Sequence, residues 1–212
     1  MSYSFIQERL DQGKIIILDG GIGAELEKKG AKMDPELWCG KCSIDNPLLV
    51  KEVHRDYIKA GADVITTNTY STTPITLKKF GYQDSIEIFN KKAVQIAKDA
   101  IEISNKQIVL AGSVSSYGSF YKLGTEAMIP GFKEQIKILY NEGVDLIILE
   151  GMTSQAGIIE TMIECSLETK LPIWLSISCA IDIETNQINL GYNDGIDKHA
   201  EIYEKLDESL DR

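Results

Sequence analysis

The chain has 212 residues, enough to bury one domain core, with 43% hydrophobic and 25% charged residues, as expected of a globular protein. A net charge of −10 argues against nucleic acid and against an anionic membrane surface as partners. No apolar run approaches the roughly 20 residues that span a bilayer, and the N-terminus carries no apolar signal segment, so the expected location is the cytoplasm and the four cysteines are expected as reduced thiols.

Residues 3–12 read as a short amphipathic helix with Phe5, Ile6 and Leu10 on one side, suited to covering the bottom of a sheet. Ile15, Ile16, Ile17 and Leu18 then form a continuous apolar run, the pattern of a strand buried on both faces. The run delivers Asp19 into a glycine turn, Gly20-Gly21-Ile22-Gly23, which bends the backbone and lets a ligand come close. A helical pattern follows at 24–29, and 30–46 reads as a loop. The next helix starts at Asn46-Pro47, an N-cap with proline at the first position, and ends at Gly61. Residues 63–70 read as a second strand, apolar at its start and hydroxyl-rich at its end.

A long helix is expected over 84–104 and a third strand over 107–113. A loop of about 18 residues follows, long by loop priors and so a functional candidate, containing Tyr117, Gly118 and Tyr121. A helix near 132–141, a strand at 144–150, a helix near 154–168 and a strand at 172–178 come next. A turn-rich loop then precedes a final helix with Ile196, Ala200, Tyr203, Leu206 and Leu210. The β-α unit repeats five times, which signals a parallel sheet. Period alone leaves an open doubly wound sheet and part of an eight-stranded barrel both open.

All five strands end in polar residues: Asp19, Thr67 to Thr69, Ser113, Glu150 and Ser178. Both architectures bind ligands at that edge. The two carboxylates, Asp19 and Glu150, tell most, because a carboxylate at the mouth of an apolar sheet needs solvent or a partner, and a ligand ammonium is a natural one. Other patterns carry less. Gly20–Gly23 lacks the dinucleotide spacing. Cys39-x-x-Cys42 is half a zinc site without a second half. His54 and His199 sit in helical patterns, and two histidines give no support to a Ser-His-Asp arrangement.

The stretch Leu18-Asp-Gly-Gly-Ile-Gly-Ala-Glu-Leu26 resembles the opening motif of the homocysteine S-methyltransferases. Leu37-Trp38, Asn46-Pro47, residues 54–63, Thr66-Thr-Asn-Thr-Tyr70, Ala111-Gly-Ser-Val114 with Tyr117-Gly118, and Leu149-Glu150 continue the resemblance in order, over 14–195. Ser115-Ser116 departs from the usual Gly-Pro. The resemblance implies a (β/α)8 barrel that moves a methyl group from a small donor onto the homocysteine sulfur, giving methionine. It implies that Asp19 and Glu150 hold the homocysteine ammonium, that the Gly20–Gly21 backbone and Thr67 contact the carboxylate end, and that Trp38 and Tyr117 lie toward the donor. An aromatic wall suits an onium donor through cation–π attraction.

The resemblance also implies zinc, bound by three cysteine thiolates, which would deprotonate the substrate thiol. In the family those cysteines come from an Asn-Cys on strand 6 and a Gly-Gly-Cys-Cys on strand 8, and none of Cys39, Cys42, Cys165 or Cys179 matches them. The expectation is therefore an incomplete (β/α)8 TIM-type barrel with about five β-α units. Residues 1–212 would form a homocysteine-binding domain truncated before strands 6 to 8. Such a chain is a fragment, is completed by another polypeptide or by self-association, or is a non-catalytic relative that binds an amino acid.

Overall fold

The computed structural model describes residues 3–117, 125–152, 158–181 and 188–190. Its helices are α1 (Ser4–Asp11), α2 (Ile22–Lys28), α3 (Cys42–Asp45), α4 (Pro47–Ala60), α5 (Pro74–Lys79), α6 (Ile86–Ser104), α7 (Thr125–Asn141) and α8 (Ile158–Leu167). Its strands are β1 (Val64–Thr66), β2 (Val109–Val114), β3 (Leu146–Met152), β4 (Ile173–Ile177), β5 (Cys179–Ile181) and β6 (Ile188–Leu190).

Strands β1 to β4 form one parallel sheet in chain order, β1-β2-β3-β4, with Val64 opposite Val109, Ala111 opposite Leu146 and Ile147 opposite Ile173. Strand direction alternates side chains between two faces. Ile65, Leu110, Val114, Ile147 and Leu149 pack outward against Ile58 of α4, Val94 and Ala97 of α6, Phe132, Ile136 and Leu139 of α7, and Ile159 and Ile163 of α8. Val64, Val109, Ala111, Leu146 and Ile148 face the other way and are joined by Ile6. A doubly wound sheet reverses its strand order and carries helix layers on both faces. Here the order never reverses and the crossover helices share one face, as in a barrel wall.

α1 covers the inner face at the N-terminal ends of the strands, as its amphipathic pattern indicates. Ile6 is its fully buried residue, whereas Leu10 is exposed. Trp174 of β4 donates from Nε1 to Tyr3 Oη at 3.1 Å on the same side. α4 has Pro47 at its first turn, and Gly61 ends it at φ 114°, where a side chain would be strained. His54 of α4 is fully buried with neither ring nitrogen hydrogen-bonded, and burial lowers its pKa to about 4, so it is a neutral core residue.

Several elements differ from the sequence expectation. The apolar run at 15–18 is not buried on both faces: Ile15 is 80% and Ile17 50% exposed, although Ile16 packs on the inner cluster and the run bridges β1 at Leu18–Val64, with Ile17 O accepting from Asp63 N and Val64 N. Side chains extend that edge contact. Asp63 accepts from Ile17 N at 2.9 Å and from Arg9 of α1 at 2.5 Å, and Asp19 accepts from Thr66 N at 2.8 Å. The sheet therefore holds four described strands where five were expected.

The stretch 30–46, read as a loop, contains α3. β1 stops at Thr66, and its expected continuation is irregular chain leading to α5, a helix the sequence pattern did not suggest. α7 begins at Thr125, before the expected start near 132, because Pro130 and Gly131 mask its helical pattern. Proline removes one intrahelical bond there, and Gly131 makes room for Ile75, since a Cβ would stand 2.8 Å from Ile75 Cγ1. β5 and β6 pair antiparallel, Cys179 opposite Leu190, inside the region expected as loop and turn. Gly118, Tyr121, His199 and the final helix with Ile196 to Leu210 lie outside the described residues. Among the described residues, no helix is long and apolar enough to cross a membrane.

Candidate functional site

The C-terminal ends of the strands open onto a cavity of about 310 Å³. It is lined by the turn after the edge segment (Gly20 to Ala24), by Trp38 and Cys39, by Thr66, Thr67, Asn68 and Tyr70, and by Glu150. Five of the seven residues singled out in the sequence line it directly: Gly20, Gly21, Thr67, Glu150 and Trp38. Asp19 stands beside the wall, joined to Thr66, and Tyr117 packs behind Trp38.

Asp19 accepts from Thr66 N and also from the Thr66 hydroxyl, at 3.1 Å to Oδ2. Burial, reinforced by the charge of Glu150 and opposed by the Thr66 hydrogen bonds, raises its pKa from 3.8 to about 7. Glu150 reaches the same space because of an irregularity in β3. Leu149 pairs with Leu175 and Met152 with Ile177, so β3 spends three residue steps where β4 spends two. Such a bulge re-aims a side chain. It needs Gly151 at φ 66°, and a Cβ there would also come within 3.2 Å of Tyr70 Oη. Ser113 Oγ donates to Glu150 Oε2 at 2.5 Å.

Gly20 is close-packed for a different reason. A Cβ on it would lie 2.9 Å from Tyr57 Oη, the hydroxyl that donates to Gly21 O. The Thr67 hydroxyl accepts from Ser113 N at 3.0 Å and lies 2.7 Å from Thr69 Oγ1. Because Thr69 donates to Ser113 O at 2.6 Å, the Thr67 proton points at Thr69. Thr67 thus braces the wall between β1 and β2, and its hydroxyl has no proton left to offer a ligand.

Trp38, 47% exposed, sits at φ 47°, an uncommon conformation for a large residue. Its surroundings fix it. Trp38 and Asp34 exchange backbone bonds at 2.9 and 3.1 Å, and the Asp34 carboxylate accepts from Glu36 N and Leu37 N. The Trp38 ring stacks near-parallel to Tyr70 at 6.2 Å and meets Tyr117 at 4.4 Å, so three rings edge the mouth.

The sequence did not single out Asn68, Tyr70 or Cys39 as cavity residues. Asn68 ties the two walls: its amide donates to Cys39 O at 2.8 Å and Ser43 Oγ at 3.0 Å, and the Cys39 thiol donates to its Oδ1 at 3.1 Å. Burial, then the neighbouring Cys42 and Glu150, push the Cys39 thiol up to about 11. At neutral pH Cys39 is expected to alkylate with iodoacetamide about a hundredfold more slowly than an unperturbed thiol. Peptide-level mass spectrometry after timed labelling checks this, and rapid Cys39 modification would contradict the buried, hydrogen-bonded thiol.

Among the described residues no group of three His, Cys, Asp or Glu side chains comes together to hold a metal ion. The one cavity thiol described, Cys39, is held as a neutral donor by Asn68, the reverse of a thiolate prepared for zinc. These residues do not fit the implied zinc.

Comparison with known proteins converges on one family. A family model described as homocysteine S-methyltransferase matches residues 16–202. Homocysteine S-methyltransferase 3 of Zea mays is 30% identical over 193 residues, covering 78% of this chain and 56% of that protein. Homocysteine S-methyltransferase of Escherichia coli (strain K12) is 32% identical over 158 residues, covering 66% of this chain and 51% of that protein. The chain thus spans little more than half the length of these relatives. Its α/β fold superposes on the metallated form of the homocysteine methyltransferase MmuM from Escherichia coli with a TM-score of 0.73 at 27% identity, over 84% of this chain and 67% of that one. With a family model spanning most of its length and its strand-end cavity built from the motifs that first suggested the kinship, this chain belongs to the homocysteine S-methyltransferase family.

Proposed function

We propose that this chain supplies the homocysteine-binding part of a thiol methyl transfer, in which homocysteine takes a methyl group from a small donor and becomes methionine. In this reading residues 1–212 form a homocysteine-binding domain, an incomplete TIM-type barrel of about five β-α units, working in the cytoplasm. Cys39, Cys42 and Cys165 are free thiols, which suits a reducing compartment. The observation that carries the reading is the cavity lined by Glu150 and the Gly20–Gly21 backbone, with Asp19 beside its wall and Trp38 at its mouth. Two carboxylates there favour an ammonium group, and the cavity has the volume of a small amino acid with part of a second ligand.

Asp19 and Glu150 would hold the homocysteine ammonium. The Gly20–Gly21 backbone would contact the carboxylate end against the wall that Thr67 braces. Trp38 and Tyr117, with Tyr70 beside them, would face the donor, where aromatic rings attract a sulfonium or quaternary ammonium. Holding both ligands in line is where this chain's residues assist the displacement, since orientation removes much of the entropic barrier. Completion by another polypeptide or by a second copy belongs to the same proposal, motivated by the exposed edge at Ile15 and Ile17.

The poor fit of the described residues to zinc favours a second reading, a non-catalytic amino-acid-binding relative. One experiment separates them. The full chain is titrated with L-homocysteine and then incubated with L-homocysteine and S-methylmethionine, with methionine measured by mass spectrometry. Saturable binding is the expected result, and methionine formation alongside it marks the first reading. Binding without methionine favours the second reading, and no binding overturns both.

A further inference from the structure

The segment 67–73 supplies Thr67, Asn68 and Tyr70 to the cavity, yet it is neither strand nor helix and is almost wholly buried. Buried irregular backbone must find partners for its polar groups outside a regular ladder. Thr69 O accepts from Thr72 N at 3.2 Å and from the Thr72 hydroxyl at 3.3 Å, and two side chains that do not line the cavity add partners from the outer helices. Gln135 of α7 donates from Nε2 to Thr69 O at 3.1 Å and to Asn90 Oδ1 at 3.1 Å. Asn90 of α6 donates from Nδ2 to Thr72 O at 3.1 Å and to Ile86 O at 2.9 Å. Both side chains are fully buried. The carbonyls they hold, Thr69 and Thr72, flank Tyr70, whose own carbonyl accepts from Ser115 Oγ at 2.5 Å.

We propose that Asn90 and Gln135 are positioning residues: by holding the Thr69 and Thr72 carbonyls from the outer helices they set the place of Tyr70, and through it the aromatic edge that receives the donor. Tyr70 has little freedom once its backbone is fixed. It stacks on Trp38, meets Tyr117 at 5.8 Å and crosses over Gly151. A shift of the backbone at 69–72 therefore moves the ring that Trp38 rests on. Asp19 is held by Thr66, outside the Gln135–Asn90 pair, and Glu150 by Ser113, which Thr69 reaches through its side chain at Ser113 O. The larger effect falls on the donor side, where Tyr70 and Trp38 stand, and the smaller on the ammonium end. The donor side and its onium chemistry rest on the proposed function; the control of Tyr70 and Trp38 does not.

The test uses the full chain carrying Trp174→Phe, which leaves Trp38 as the sole tryptophan of the two in the sequence. Gln135→Met keeps length and removes the donor, and Asn90→Leu does the same on α6. Trp38 emission is recorded without ligand, then during titration with S-methylmethionine, and L-homocysteine binding is followed by calorimetry. The expected result is a changed Trp38 emission in both variants, S-methylmethionine binding roughly threefold weaker, the scale of one exposed cation–π contact, and homocysteine affinity changed by less than that. Folded variants with the parent emission and parent S-methylmethionine affinity overturn the proposal. So does an equal weakening of both ligands, which marks a general structural role.

If the parent binds neither ligand, the proposed function fails, and the ligand-free Trp38 emission decides the positioning role alone. Where Gln135→Met does not fold, Gln135→Asn, whose amide is one methylene short of the Thr69 carbonyl, replaces it. If no variant at either position folds, the two residues are scaffold only and the proposal falls.

Discussion

Asp19→Asn is expected to weaken L-homocysteine binding by roughly two to three orders of magnitude at pH 8, the scale of losing one member of a buried hydrogen-bonded charge pair. The same substitution is expected to stabilise the unliganded protein at that pH. Both effects follow from one carboxylate. Burial and the nearby Glu150 raise the Asp19 pKa to about 7, so the folded chain favours its protonated form. Since the folded pKa lies above the unfolded value, the folded state binds more protons than the unfolded state between about pH 4 and 7. Stability from this group is complete below the unfolded value and is lost as pH rises through about 7.

Ligand binding runs the other way, because an ammonium needs the ionised carboxylate. Homocysteine affinity should therefore rise through about pH 7 while the unliganded fold loses stability over the same interval. Asparagine cannot ionise, so it removes the stability loss together with the affinity. Thermal unfolding and calorimetric titration at pH 6 and pH 8 read both. A variant whose affinity stays near that of the parent would remove Asp19 from the site.

Gly40→Ala is expected to lower stability by about 2–3 kcal/mol, because the new methyl group has no space and the obstruction is not a flexible chain end. A Cβ at Gly40 would stand 2.6 Å from both Ser71 Oγ and Thr72 Cγ2. Ser71 is engaged there, donating to Leu37 O at 2.5 Å, and Asn68 holds Cys39 O one residue away from Gly40. To admit the methyl group, the Trp38-bearing loop must lift off the 68–72 wall. For a chain of this size, 1 kcal/mol shifts the melting temperature by roughly 2–4 °C, so a fall of roughly 4–12 °C is expected. Trp38 should become more accessible to acrylamide in the same variant. An unchanged melting temperature would mean that the loop is not seated on residues 71 and 72.

How much was legible in the sequence depends on how local the signal is. Asp19 and Glu150 were legible because each interrupts an apolar run, and only a sheet end tolerates that. α4 was legible from Pro47 and Gly61, residues with backbone reasons to stand where they do. Segment 14–18 misled because an apolar run encodes what a strand can bury, whereas burial depends on what lies beside it, and among the described residues β1 is the one strand it pairs with. Thr67 was named for its hydroxyl, but which way that proton points is decided by Thr69 and Ser113, one of them 46 positions away.

Asn68 and Tyr70 carried no independent signal. A hydroxyl-rich strand end and a buried irregular segment share one composition, and the difference lies in whether Asn90 and Gln135 arrive from other helices. α7 was misplaced because Pro130 and Gly131 usually close a helix, while here Gly131 serves the approach of Ile75.

In the proposed function a pair of carboxylates, Asp19 and Glu150, receives the ammonium of homocysteine. Calorimetric titration of L-homocysteine into the full chain at pH 7, repeated in two buffers of different ionisation heat, tests it most directly. Saturable binding with release of a fraction of a proton is expected, because the arriving ammonium draws the half-ionised Asp19 toward its charged form. Binding without proton release, or affinity that survives removal of the ammonium in 4-mercaptobutanoate, would contradict it.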